Sequence, residues 1–520
     1  MGVSKVVSPQ QAAALIPDGA TIGSSTMGLT GWPEEVAIAI EQRFLATGHP
    51  RDVTLVHSST CGDYGKRGTT RLGHEGLVKR LVCGHTGSSP NMTRLVDGNK
   101  IECYLLPQGV ICQLWRAIAG RKPGVITKVG LGTYVDPRLG GGKVTTLTRE
   151  DLVSVVNLDG EEWLLYKAFP IHVALIRGSV GDEDGNLTMD REMGIIEALP
   201  LAMAAKNSGG IVIAQVEWVA QRGTLHPRQV RVPGVLVDYL VIGRPENHLQ
   251  TQQTYFNPSF SGDVKIPLHS IPPLPLDATK IIARRAAMEL RPGAVVNLGV
   301  GIPAGVASVA VEEGVLDLFT LTTELGVFGG VPAFGLDFGA SYNPEAMIDH
   351  SSMFDYYDGG GLDIAFLGLA QVDREGNVNV SKFGNRVMGP GGFINISQNA
   401  KKIVFCGRFA NASETEVKDG TLVIGKEGAP KFVDRVDQVT FSGAYATRTR
   451  QTVLYVTERA VFTLEDGCVT LREVAPGVDI EKHIIAMMGF PPKLSPALKV
   501  MDRQLFQPQW GRLREIMENS

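Results

Sequence analysis

Cysteine is sparse in this chain and badly spaced for metal. Six occur among 520 residues (Cys61, Cys83, Cys103, Cys112, Cys406 and Cys468), with no Cys-x-x-Cys pair and no histidine at finger-like spacing. That disfavours structural zinc and leaves reduced, mostly buried thiols as the expectation. An excess of one charge is also missing: the formal net charge is −4, which suits neither a nucleic-acid surface nor an acidic disordered chain. No apolar run approaches the ~18 residues of a membrane span, and Met1 to Ile16 has neither the apolar core of a signal nor an Arg-rich amphipathic pattern. A cytoplasmic protein is therefore expected. His-Glu-x-x-His and Gly-x-Ser-x-Gly do not occur. Gly140-Gly-Gly-Lys-Val-Thr145 lacks the leading glycine of a phosphate loop and a Ser or Thr directly after Lys143. Metal hydrolase, serine hydrolase and P-loop nucleotidase all lose weight. What remains is a globular composition, 43% hydrophobic and 20% charged, in a chain too long for one ordinary core, so two large domains or three smaller ones are expected. The partners to expect are small molecules and further copies of the chain.

The most telling stretch that is present is Leu321-Thr-Thr-Glu-Leu-Gly-Val-Phe-Gly-Gly330. Glu324 stands among apolar and small residues without a cation nearby in sequence, and a buried acid is uncommon unless it is paired. Gly326, Gly329 and Gly330 would let a ligand approach the backbone closely. The plain alternative is a surface glutamate in a Gly-rich turn.

Along the chain, β-prone runs alternate with helical ones. Ala20 to Ser25 reads as a strand, Met27 to Trp32 as a turn, and Pro33-Glu34-Glu35 as a helix start. Val53 to His57 and Ile101 to Leu106 read as strands, the latter followed by Pro107-Gln108-Gly109 and a helix to Ala119. Ile171 to Ile176 and Ile211 to Val216 are further strands. This alternation implies an α/β fold with a largely parallel sheet. Gln108 lies just past a strand end, where open α/β sheets place ligand groups; its alternative is a local turn contact. Between Gly243 and Asp277, Pro245, Pro258, Pro267, Pro272, Pro273 and Pro275 fall among polar residues without a sustained period, which marks a linker. Beyond it, Asp355 to Gly361 reads as a tight turn into a strand at Leu362 to Leu369. Gly389-Pro-Gly-Gly-Phe393 offers backbone N–H groups with little obstruction, as an anion nest or as a plain turn. Ile480 to Ser520 reads as helical.

Three echoes link the halves in the same order. Pro17-Asp-Gly-Ala-Thr-Ile-Gly, with its Gly28, Gly31 and Pro33 turn, resembles Pro292 to Pro303. Ala174-Leu-Ile-Arg-Gly with Asp184-Gly-Asn-Leu187 resembles Ala365-Phe-Leu-Gly-Leu with Glu375-Gly-Asn-Val378. Gly210 to Ala214 resembles Lys402 to Cys406. Two tandem open α/β domains follow: 1–242, a Pro-rich linker 243–277, and 278–520. Such a duplication offers a cleft between its halves. Gly299-Val-Gly-Ile-Pro-Ala-Gly305 is a weak dinucleotide motif, because its third glycine falls one residue late, but a reasonable receiver of an anionic ligand.

Over nearly its whole length the chain resembles the family I coenzyme A transferases of the fused propionate or acetate type. The resemblance is carried by Leu106-Pro-Gln-Gly-Val110, Lys122 to Gly132, Val296 to Pro303, Phe338-Gly-Ala-Ser-Tyr342, Phe354 to Gly361, Gly376 to Ser381 and Gly391-Gly-Phe-Ile-Asn395. It implies halves that correspond to separate α and β subunits elsewhere in the family, with the nucleophile Glu324 in the second. It implies Gln108 as an oxyanion-hole side chain and the backbone of Gly391 as the second donor. Gly299, Val300, Gly301, Ile302, Pro303, Asn377, Gly389, Gly392 and Phe393 are implied around the CoA or acyl group, with Lys401 as a further residue near CoA. Leu325 departs from the Ala or Asn that often follows the glutamate in this family, which puts the acyl pocket in question. The resemblance further implies acyl-CoA and short-chain acids (acetate, propionate, butyrate) as substrates, no metal or permanent cofactor, and a homo-oligomer, with a tetramer favoured. Its rivals are an acyl-CoA hydrolase using the same glutamate and a non-catalytic metabolite sensor of related fold.

Overall fold

Two sheets, one from each half, frame the chain in the computed structural model, which describes residues 4–268 and 273–519. The first sheet has seven parallel strands. Its spatial order is Tyr239–Ile242, Ile211–Val216, Val173–Arg177, Thr21–Ser24, Val53–His57, Val78–Cys83, Glu102–Leu105. The second runs Ala346–Met347, Val327–Phe328, Thr320–Thr323, Val295–Leu298, Ile364–Gly368, Lys402–Cys406, Thr452–Val456, Ala460–Glu465, Cys468–Val474, Lys493–Val500. It is parallel from Thr320–Thr323 across to Thr452–Val456. Strands that are buried on both faces need continuous apolar runs, and Val173–Arg177 and Ile364–Gly368 supply them.

The sequence echoes map onto this topology. Ile211–Val216, Val173–Arg177, Thr21–Ser24 and Val53–His57 stand in the same order as Lys402–Cys406, Ile364–Gly368, Val295–Leu298 and Thr320–Thr323. The Asp-x-x-Gly-Asn echoes build one and the same turn. Asp182 accepts the N–H groups of Asp184 and Asn186, and Asn186 Oδ1 accepts that of Gly234 at 2.8 Å. Asp373 does this for Glu375 and Asn377, and Asn377 Oδ1 accepts from Gly443 at 2.9 Å.

The halves meet through helices. Gln108–Ala119 packs on Ala198–Asn207 of its own half and on His350–Asp358 of the other. Gln113 donates to Asp355 and Asp358, and Arg116 pairs with Asp355. The segment between Gly243 and Asp277 is not a loose connector. Gln252 donates to the Gly62 carbonyl of the first half while its own N–H reaches Leu336 of the second, and Phe260 is buried in a cluster with Met27, Met193, Leu325 and Ala340. Pro272, one of the prolines that marked this segment, lies outside the described residues.

Two expected elements come out differently. Asp355 to Asp358 is the last turn of a helix, with the chain turning at Gly359 to Gly361. The expected helix at Ile480 to Ser520 is mostly something else: Ile480–His483 and Leu513–Glu518 are short helices, and Lys493–Val500 is an edge strand. Pro491, Pro492 and Pro496 cannot continue a helix, and a proline is tolerated on a sheet edge. Five of the six cysteines are buried as free thiols and Cys468 is exposed.

Candidate active site

Glu324 follows the strand Thr320–Thr323 at its C-terminal end and faces a cavity of about 380 Å³ between the halves. Gln108, the first residue of its helix and 1% exposed, comes from the first half. Its Nε2 donates to Glu324 Oε1 at 3.3 Å. The helix can come this close because its second residue is glycine: a Cβ on Gly109 would lie 2.5 Å from Asn395 Nδ2 and from Phe354 Cδ1. In place of that clash, the Gly109 N–H donates to Asn395 Oδ1 at 3.1 Å.

The Gly-rich loop of the second half is stitched to the first half. Thr86 N–H donates to Met388 O at 2.8 Å, Gly391 N–H to Gly84 O at 2.9 Å, and Gln108 N–H to Gly391 O at 2.9 Å. This corrects the expectation for Gly391, whose N–H is engaged by Gly84 and does not face Glu324. The next residue packs against the carboxylate. Glu324 Oε2 lies 2.4 Å from where a Cβ of Gly392 would sit, and the Gly392 N–H has no acceptor among the described residues.

Behind Gln108 stands a buried pair that was not foreseen. His350 and Glu197 are both 0% exposed, with His350 Nδ1 2.9 Å from Glu197 Oε2. Gln108 Nε2 lies 3.0 Å from His350 Nε2. Ser58 Oγ donates to Glu197 Oε1, and the Cys112 thiol donates to the same oxygen at 3.5 Å. Burial raises the Glu324 carboxyl above the usual 4.5, against the opposing pull of His350 and the Gln108 N–H. Burial alone would lower His350; the Glu197 carboxylate outweighs it and raises it above 6.5. Cys112, Glu197 and His350 hold ligand-type atoms within 4.8 Å of one another. Those atoms are already bonded to each other, and burial keeps the Cys112 thiol protonated.

Comparison with known proteins decides what this arrangement belongs to. The coenzyme A transferase family model matches residues 6–243. The chain is 53% identical over 522 residues to caffeate CoA-transferase of Acetobacterium woodii, covering 99% of this chain and 100% of that protein. The chain belongs to the coenzyme A transferase family. It is also 44% identical to the acetate CoA-transferase YdiF of Escherichia coli (strain K12), covering 96% of this chain and 95% of that protein. The acyl-CoA transferase YdiF of E. coli O157:H7, solved as a thioester complex with CoA, matches with a TM-score of 0.92 and 42% identity, covering 98% of this chain and 97% of that one. The protein is thus an enzyme of the CoA-transferase class with the fused two-domain fold, and among its described residues no helix is long and apolar enough to cross a membrane.

Not every residue carried over by resemblance reaches the transferase's cavity. Gly299, Val300, Gly389, Gly391, Gly392 and Phe393 line it together with Glu324 and Gln108. Gly301, Ile302 and Pro303 do not; Ile302–Ala304 is a single tight turn leading into the helix Gly305–Glu312. Asn377 is engaged in closing its turn, as Asn186 is in the first half. Lys401 precedes the strand Lys402–Cys406, which runs parallel to Thr320–Thr323, so it lies at the end of the sheet opposite Glu324, paired with Asp363 at 2.8 Å. Leu325 is 0% exposed and turns away from the cavity into the cluster with Met27, Met193 and Phe260. It does not shape the acyl pocket directly. Met27, Gln252, Leu298, Phe338, Val380 and Met388 line the cavity and were not assigned to it from the sequence, since residues from distant segments carry no local signal of a shared wall.

Proposed function

We propose that this transferase moves coenzyme A between an acyl-CoA and a free carboxylic acid through a covalent glutamyl-CoA thioester on Glu324. The observation that carries the reading is the meeting of Glu324 from one half with the Gln108 amide of the other at 3.3 Å, against the backbone of Gly392. A Glu324 oxygen attacks the thioester carbonyl of acyl-CoA, and the resulting tetrahedral oxyanion collapses with loss of CoA thiolate to an acyl-glutamyl anhydride. The thiolate then attacks the glutamyl carbonyl and expels the acyl group as a free carboxylate, leaving glutamyl-CoA. The acceptor acid runs the same steps in reverse, which is covalent ping-pong catalysis. No ATP is consumed, because one activated acyl bond is exchanged for another at every step.

Each attack needs aimed donors, and losing one such donor commonly costs about 3 kcal/mol of barrier. Gln108 supplies one from a side chain, and Gly392, in place of Gly391, supplies the other from the backbone. The relative solved as a thioester complex with CoA supports the covalent intermediate. The family resemblance alone supports a homo-oligomer, with a tetramer favoured.

For the acyl group, the acetate CoA-transferase relative supports short-chain acids of the acetate, propionate and butyrate class. A second reading, an arylacrylic acid, is favoured by the apolar wall of Met27, Leu298, Phe338, Val380, Met388 and Phe393 and by the 53% identity to a caffeate CoA-transferase. Relative kcat/KM for acetate, butyrate and caffeate as acceptors separates the two readings. Transfer against hydrolysis is tested by following consumption of the donor acyl-CoA, and appearance of free CoA thiol, with and without added acid. Dependence of acyl-CoA turnover on the acid supports transfer, whereas equal turnover without it would make the protein a hydrolase.

A further inference from the structure

The exchange chemistry makes no use of His350 and Glu197, although the protein buries both completely beside the nucleophile's partner. Their place in the fold shows what they correspond to. In the first half the edge strand Glu102–Leu105 is followed three residues on by Gln108, which opens a helix; in the second, Ala346–Met347 is followed three residues on by His350, which also opens one. Ser58 follows the strand Val53–His57 as Glu324 follows Thr320–Thr323. Glu197 precedes the helix Ala198–Asn207 as Gly392 precedes Phe393–Asn399. The trio Glu324, Gln108 and Gly392 therefore has a counterpart in Ser58, His350 and Glu197. Where the working trio has Gly392 and an open cavity, the counterpart has a carboxylate that closes on Ser58 and His350.

We propose that this closed counterpart supports the open site: His350, held by Glu197, is a positioning residue that fixes the amide of Gln108 with one N–H on the imidazole and the other on Glu324. The hydrogen-bond inventory fixes the roles. An ionised Glu197 can only accept, so Nδ1 of His350 carries a proton, and in the neutral imidazole Nε2 turns its lone pair towards Gln108. Only the –NH₂ end of the amide can satisfy that lone pair at 3.0 Å. The same nitrogen is then the atom that reaches Glu324 at 3.3 Å. The opposite orientation would set the amide oxygen against both the lone pair and the carboxylate, so the buried pair selects the orientation in which Gln108 is a donor.

This inference rests on Glu324 and Gln108 acting as described under the proposed function, so Glu324→Gln is measured alongside the test variants in the full-length protein. His350→Ala is expected to lower kcat roughly tenfold or more with the KM for acyl-CoA close to that of the parent, and to lower Tm because it strips the buried Glu197 of its partner. His350→Gln, whose Oε1 can accept the same N–H, should restore most of that loss. Glu197→Gln keeps the shape but no longer obliges the imidazole proton to sit on Nδ1. It should lower kcat in the same way, and it carries the test if His350→Ala fails to fold. Parent-like turnover in both His350→Ala and Glu197→Gln, while Glu324→Gln is inactive, overturns the positioning role alone. A loss in His350→Ala that His350→Gln does not restore, with KM for acyl-CoA rising as kcat falls, overturns it in favour of a merely structural role. Surviving transfer in Glu324→Gln would bring down the mechanism beneath it.

Discussion

Asp182 and Asn186 close a turn in the first half, and Asp373 and Asn377 close the same turn in the second with matching hydrogen bonds. Elsewhere the halves diverge: after the second strand of each half, one places Ser58 and the other Glu324. The difference teaches where duplication constrains a chain and where it frees it. Turns that satisfy buried backbone groups must be kept in both copies, because an unsatisfied buried polar group is costly in either. Residues at the strand ends facing the cleft carry no such duty, so one copy places Glu324 there, facing Gln108 across the cleft, while the other places Ser58, bonded to Glu197.

The largest break in that comparison is predicted at the two equivalent strand ends. Glu324→Gln should lower CoA transfer on the order of 10⁴-fold or more, as removal of a covalent nucleophile does. Ser58→Ala should cost less than about tenfold, because His350 still holds Glu197. Next come the donors. Gln108→Ala should slow turnover about a hundredfold with little change in Tm. Gly392→Ala should do similar damage by sterics, because its Cβ would meet Glu324 Oε2 at 2.4 Å and a nucleophile displaced by about 1 Å can lose about a hundredfold in rate.

A smaller effect is expected from pH. The active form needs Glu324 ionised, and its carboxyl is raised by burial. The rate should therefore fall on acidification with an apparent midpoint above 4.5. His350, raised above 6.5 by Glu197, belongs to the same limb. Its protonation would point N–H groups at each other across the Gln108 contact, so the limb belongs to Glu324, His350 and Glu197 together. A kcat–pH profile flat down to the ordinary carboxylate range would contradict this. The smallest catalytic effect should come from the shared turns. Asn186→Ala and Asn377→Ala should each cost about 1–3 kcal/mol of stability and lower Tm, with an unchanged KM for CoA in both. A raised KM confined to Asn377→Ala would return that residue to the CoA site.

How much of this the sequence carried depends on whether a residue's role is local. Glu324 was legible because an acid without a cation among small residues is chemically odd where it stands. Gln108 was legible because it follows a strand end. Glu197 and His350 were not, since they lie 153 residues apart and each resembles the ordinary polar start of a helix. A run of glycines shows that N–H groups are accessible, but not which of them another carbonyl has claimed, so Gly391 was expected where Gly392 stands. Asn377 and Lys401 lie near their expected sites in sequence only: one is held by its turn, and the other lies at the far end of the parallel strands. The helix expected at the C-terminus failed because Pro491 and Pro492 outweigh the surrounding helix formers.

The most direct test is the mass of the Glu324 peptide after the protein is mixed with acetyl-CoA or butyryl-CoA, without acceptor acid, and treated with borohydride. A mass shift corresponding to reduction of a glutamyl thioester, confined to that peptide and absent from Glu324→Gln, is the predicted result. An unmodified Glu324 peptide in a preparation that transfers CoA at full rate once the acceptor acid is added would contradict the covalent route.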